Sequence, residues 1–100
     1  MSQSEILSFF REKSIQSIFQ RAGIVHLWLF GSYARNTAHN NSDIDLMYEY
    51  DASKDSSFWG VFSVYGNLSQ HIAQSIDLSS RDTIRPELKE SIFSSSIQIF

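Results

Sequence analysis

Apolar residues recur along this chain with two periods, helical and alternating, and the places where the period changes predict its elements. From Ser2 to Gln20, residues Ile6, Phe9, Phe10, Ile18 and Phe19 fall broadly on one stripe, which predicts an amphipathic helix. Ser2 and Glu5 stand at capping-box spacing at its start, and Gly23 supplies its stop. Ile24-Val25-His26-Leu27-Trp28-Leu29-Phe30 is an apolar, β-rich run of strand length that Gly31-Ser32 ends abruptly. Tyr33 to Ala38 reads as a short helix before the polar loop His39-Asn40-Asn41-Ser42.

The segment Asp43 to Tyr50 changes period. Asp43, Asp45 and Met47 share one face, while Ile44, Leu46 and Tyr48 share the other, which is the signature of a strand. Asp51 to Asp55 reads as a turn, with Ser56 or Ser57 as the cap of the next helix. In that helix Phe58, Val61, Phe62, Tyr65, Leu68 and Ile72 recur at helical spacing, and Gly60 and Gly66 weaken it without breaking it. Ser75-Ile76-Asp77-Leu78-Ser79 reads as a third short strand. Pro86 suits the first turn of a last helix, with Leu88, Ile92 and Phe93 inward. The order is α-β-α-β-α-β-α, which defines a layered α/β domain.

Composition narrows the function. The chain has 100 residues, enough for a single domain over residues 1–100, and 42% of them are apolar, so a packed core is expected rather than disorder. Eight basic residues against eleven acidic ones give a net charge of −3, which argues against a protein built to grip nucleic-acid backbones. Cysteine is absent, which excludes disulfides, thiol nucleophiles and cysteine-ligated metals and fits a cytosolic location. No stretch approaches the length of a membrane span, and the N-terminal residues lack the pattern of a secretion signal.

The candidate chemistry lies in three places. Asp43 and Asp45 point from one face of a half-buried strand, where Asp is a poor strand former and two like charges repel. A hard divalent cation with oxygen ligands, Mg²⁺ above all, resolves that repulsion. A lone Asp-x-Asp more often marks a solvated turn, but here its neighbours Ile44 and Leu46 argue for burial. Asp77 sits between Ile76 and Leu78 and is expected to need a partner or a ligand. Gly31-Ser32, at the junction of a strand and a helix, offers backbone amides and a hydroxyl to a phosphate. It is neither a Walker loop nor a dinucleotide fingerprint. His26, His39 and His71 lack partners at metal-ligand spacing, and Trp28, Phe58, Trp59 and Phe62 read as core. Ile97-Gln98-Ile99-Phe100 reads as a packed end or as an interface with a partner chain.

Together, Phe30-Gly31-Ser32-Tyr33-Ala34-Arg35, Ser42-Asp43-Ile44-Asp45-Leu46 and Ile76-Asp77-Leu78 closely resemble the signature of the DNA-polymerase-β-like nucleotidyltransferase superfamily. More narrowly, they resemble the minimal nucleotidyltransferases (MNT) of prokaryotes, over roughly residues 5 to 95. The family motif runs Gly-Ser-x-Ala-Arg-Gly and then Ser-Asp-x-Asp-Leu; Asn36 stands where its last glycine would be. Asn tolerates left-handed backbone better than other non-glycine residues, so the turn is expected to survive.

The resemblance implies the nucleotidyltransferase fold, with a small three-stranded mixed sheet and flanking helices. It implies two Mg²⁺ ions held by Asp43, Asp45 and Asp77, with ATP as substrate. It further implies nucleotide binding by Gly31, Ser32, Arg35 and Ser42, although a structural ion pair is an equal reading of Arg35. Finally, it implies an antitoxin that transfers AMP to a hydroxyl, a tyrosine's, on a partner HEPN ribonuclease toxin in a prokaryotic cytoplasm. The alternatives are an antitoxin that neutralises by binding alone and a small-molecule transferase of the aminoglycoside-modifying type, for which 100 residues are expected to leave no room for an acceptor domain unless a partner provides it. Neither a membrane nor direct nucleic-acid binding is expected.

Overall fold

A computed structural model describes residues 1–51 and 58–100, the side chains of residues 58 and 59 excepted. Helices α1 (Gln3–Phe10) and α2 (Lys13–Arg21) lead into strand β1 (Ile24–Phe30), the short helix α3 (Gly31–Ala34) and strand β2 (Ile44–Tyr50). Helix α4 (Phe58–Leu68), strand β3 (Ile76–Ser80), a 3-10 turn (Arg81–Thr83), helix α5 (Pro86–Ser95) and strand β4 (Ile97–Gln98) follow. The sheet order is β3-β2-β1-β4. β1 pairs antiparallel with β2 and β4, while β2 and β3 run parallel, joined by the α4 crossover. The fourth strand is an addition to the three expected from periodicity. Two residues are too short to show alternation.

The expected first helix is two helices, and geometry explains the break. Ile6 and Phe10 bury on α1, and Ile15 and Phe19 bury on α2, each pair four apart and therefore on one face. Phe10 and Ile15 are five apart, so an unbroken helix would turn the second pair well away from the first. Extended backbone at Glu12 (φ −63°, ψ 139°) resets the phase and lets both pairs face the sheet. The Ser2/Glu5 capping box forms as expected: Ser2 Oγ accepts the Glu5 N–H, and Glu5 accepts the Ser2 N–H at 3.0 Å. These bonds hold the Glu5 carboxyl below the usual carboxylate range.

The main core lies between these helices, α4 and one face of the sheet. Leu27 and Leu29 of β1, Ile44, Leu46 and Tyr48 of β2, and Val64 and Leu68 of α4 close it. Ile99 packs into the same cluster, so the C-terminal segment is anchored to the core through it. Arg11, at the break between α1 and α2, fastens that edge by donating to the Gln98 carbonyl at 3.0 Å and the Ile99 carbonyl at 3.3 Å.

The opposite face is covered in part by α5. In the register Trp28 opposes Met47, and Trp28 meets Phe93 of α5 edge-on with ring centroids 6.0 Å apart. Met47 is fully buried there. Arg81 lies over both rings, 5.4 Å from Trp28 and 4.8 Å from Phe93, and pairs with Glu49. Trp28 is thus half-buried under a guanidinium rather than a main-core residue.

Phe62, expected in the core, is 55% exposed on the outer side of α4, because Val64 and Leu68 supply that helix's buried contact. α4 ends at Leu68, so Ile72 buries from the turn beyond it. The Asp51–Asp55 turn, the Ser56 or Ser57 cap and the packing of Phe58 and Trp59 fall outside the described residues. Among the described residues no helix is long and apolar enough to cross a membrane.

Candidate active site

Strand register places the carboxylates. Asp45 of β2 is opposite Asp77 of the parallel β3, and register partners in neighbouring strands share a face. Asp43 precedes Asp45 by two residues and points to that same face, and Phe30, the last residue of β1, opposes Asp45 from the other side. The carboxylates therefore cluster at the end of the sheet where β2 and β3 begin and β1 stops. This face is the one α5 covers only in part, which leaves Asp43 and Asp77 exposed and Asp45 half-buried.

The exposure of Asp77 corrects one expectation. Apolar neighbours in sequence suggested a buried, costly charge; an edge strand instead turns Ile76 and Leu78 toward the core cluster and Asp77 toward solvent. Its interest rests on its place beside Asp45.

Asp45 bears the electrostatic strain of the cluster. Burial pushes its carboxyl up from the ordinary value, and the charges of Asp77 and Asp43 push it further. Arg35, exposed just beyond α3, pulls the other way. Sequence order alone had left Arg35 open; the fold sets its charge within reach of Asp45.

Gly31 is fixed by the same carboxylate. Its φ is +73°, in the left-handed region, and a Cβ there would lie 2.1 Å from Asp45 Oδ2. The chain thus turns from β1 into α3 directly against Asp45, which only glycine permits. After the helix, Asn36 takes φ 59°, so the departure from the family's glycine is absorbed as expected. The Thr37 N–H donates to the Ser32 carbonyl at 2.8 Å, and Gln3 Nε2 donates to the Tyr33 and Ala34 carbonyls at 3.0 and 3.1 Å. These bonds anchor the turn from both sides.

Ser42 closes the loop before β2. Its hydroxyl accepts the His39 N–H at 2.9 Å, and its own N–H donates to the His39 carbonyl at 2.9 Å. A cleft of about 300 Å³ opens beside it, bordered by Asn40, Asp43, Gln74 and Ser75. Gln74 was not anticipated. It lies in an unpatterned turn, and nothing in its sequence neighbourhood marks it.

The donor set fits a hard cation in kind: three carboxylates, one of them disfavoured as an anion until a positive charge joins it. Among the described residues no three acidic or imidazole groups stand close enough together to hold a metal.

Comparison with known proteins identifies the family and the fold. Residues 13–100 match the family described as polymerase beta, nucleotidyltransferase, and the chain belongs to it. A candidate protein adenylyltransferase of Methanocaldococcus jannaschii is 27% identical over 88 residues, which is 88% of this chain and 92% of that protein. A solved candidate minimal nucleotidyltransferase superposes with TM-score 0.77 at 26% identity, covering 97% of this chain and 95% of its own. The fold also recurs in a complex of a tri-AMPylated Shewanella oneidensis HEPN toxin with an MNT antitoxin. There the TM-score is 0.60 at 16% identity, over 92% of this chain and 71% of that one.

Proposed function

We propose that residues 1–100 work as one nucleotidyltransferase domain, an antitoxin that transfers AMP from ATP to a tyrosine hydroxyl of a HEPN ribonuclease toxin in a prokaryotic cytoplasm. The observation that carries this reading is the convergence of Asp45 and Asp77 in register with the glycine turn packed on the Asp45 carboxylate. The toxin partner and the adenylyl group are carried over from the antitoxin complex and the adenylyltransferase this chain is similar to.

In this reading Asp43, Asp45 and Asp77 hold two Mg²⁺ ions, which when bound neutralise the triphosphate and stabilise charge at the α-phosphorus. Gly31 lets the triphosphate approach the backbone, the Ser32 hydroxyl donates to a phosphate oxygen, and Arg35 adds a charge-assisted contact. Ser42 contributes to the nucleotide wall by shaping the loop that delivers Asp43. The acceptor hydroxyl gives up its proton to the Asp77 carboxylate, and its oxygen bonds to the α-phosphorus. The bond to the pyrophosphate oxygen breaks, and pyrophosphate leaves.

The test is incubation with α-labelled ATP, Mg²⁺ and the HEPN partner. Label is expected on the partner, and Asp43→Asn is expected to abolish it; no label on a folded partner would sink the proposal. A second reading, neutralisation by binding alone, draws on the lack of a finished metal-ligand set among the described residues. It requires that folded Asp43→Asn and Asp45→Asn proteins still protect against the toxin, and loss of protection counts against it.

A further inference from the structure

Three chain segments carry the candidate site: the β1–α3 turn with Gly31 and Ser32, the start of β2 with Asp43 and Asp45, and the start of β3 with Asp77. They come from distant parts of the sequence, and the sheet pairs them only along their strands. Gln74, in the turn before β3, joins all three. Its Nε2 donates to the Tyr33 hydroxyl of α3 and, at 3.4 Å, to the Ser42 carbonyl immediately before Asp43. The next residue, Ser75, accepts the Ile44 N–H at 2.9 Å, on the other side of Asp43. Asp43 is therefore held between two backbone anchors that both lead to the Gln74-Ser75 step.

Packing does not account for a glutamine here. Its Oε1 is buried and finds no hydrogen-bond partner among the described residues, a cost that an apolar side chain of similar size would avoid. What the amide supplies, and an apolar side chain would not, is the pair of ties to Tyr33 and Ser42. The Ser42 carbonyl fixes which way the amide faces: reversed, Oε1 could accept from the Tyr33 hydroxyl but would meet the Ser42 carbonyl oxygen, acceptor against acceptor. Tyr33 is itself 4% exposed, so its hydroxyl is fixed by the core and serves as a rigid post.

We propose that Gln74 is a positioning residue, setting the separation between the glycine turn and Asp43 so that phosphate and cation are held at one distance. This rests on the nucleotidyltransferase reading of the site and adds a residue to it. A displacement of about 1 Å in such a constellation is enough to lower a rate about 100-fold.

The experiment compares wild type, Gln74→Leu, Tyr33→Phe and the double variant. It measures labelled-AMP transfer to the partner over a Mg²⁺ titration, together with melting temperature and Mg²⁺-dependent ATP binding. Gln74→Leu is expected to lower kcat by roughly 10- to 100-fold and to raise the Mg²⁺ concentration needed for half-maximal rate, without a matching fall in melting temperature. Tyr33→Phe is expected to shift both in the same direction, and the double variant to be no worse than Gln74→Leu, because the two act through one bond. The inference is overturned if wild type transfers AMP and both single variants match it in kcat and Mg²⁺ requirement. It is overturned equally if Gln74→Leu loses activity only in step with unfolding while Tyr33→Phe is unchanged. A wild type that neither binds ATP with Mg²⁺ nor transfers AMP overturns the site reading itself, and the role of Gln74 with it.

Discussion

Asp45 and Gly31 constrain each other closely, a carboxylate lodged where a β-carbon would otherwise be. The Gly-Ser dipeptide was legible in the sequence as a turn, but the reason for the glycine was not, because its partner lies beyond a loop and belongs to another strand. The price of the arrangement falls on Asp45, whose carboxyl is raised by burial, Asp77 and Asp43. A carboxyl with a raised folded-state value favours the fold while protonated, and that contribution is lost as pH rises through the folded value. Asp45→Asn is therefore expected to raise the melting temperature of the metal-free protein near pH 7. The gap to wild type should narrow as pH falls toward the acid range, where Asp45 takes up its proton. The same variant is expected to lose AMP transfer by on the order of 100-fold or more. Thermal melts across pH check the first part; a variant less stable than wild type at neutral pH contradicts it.

Among the elements, β1 and β2 were the most legible. β1 was marked by its apolar, β-rich run and β2 by its alternation, since a strand with one face on the core shows period two. Elements held by distant contacts were not legible. β4 is two residues long and exists because β1 offers it an edge and Arg11 ties the Gln98 carbonyl and that of Ile99 just beyond it. The break at Arg11–Glu12 was hidden for the same reason: a broad apolar stripe does not reveal that the two halves differ in phase. The apolar tail Ile97–Phe100, read from sequence as either a packed end or an interface, is packed in this fold: Ile99 N–H donates to the Leu27 carbonyl at 2.7 Å. Ile99→Ala is expected to cost about 2–5 kcal/mol, read as a lower urea midpoint with unchanged slope. A cost within experimental error contradicts the assignment of Ile99 to the core.

At the scale of the whole molecule, the sheet has one thoroughly covered face and one that α5 covers in part, and the site lies at the uncovered end. Asp45 was legible because Asp in a half-buried strand is out of place, and Asp43 and Asp77 through their spacing and motif, whereas Gln74 and Tyr33 stayed hidden because their significance arises only when three segments meet. The net charge of −3 argued against gripping phosphate backbones. In the proposed reading, the three acids at one end of the sheet make a local negative charge that a cation would convert into a receptor for a triphosphate. The account stands or falls on that conversion. The most direct measurement is intact mass spectrometry of the HEPN partner after reaction with this protein, ATP and Mg²⁺, beside the same reaction with Asp43→Asn. The account predicts one or more AMP adducts with wild type and none with the variant. An unmodified partner in both reactions, or equal modification in both, contradicts it.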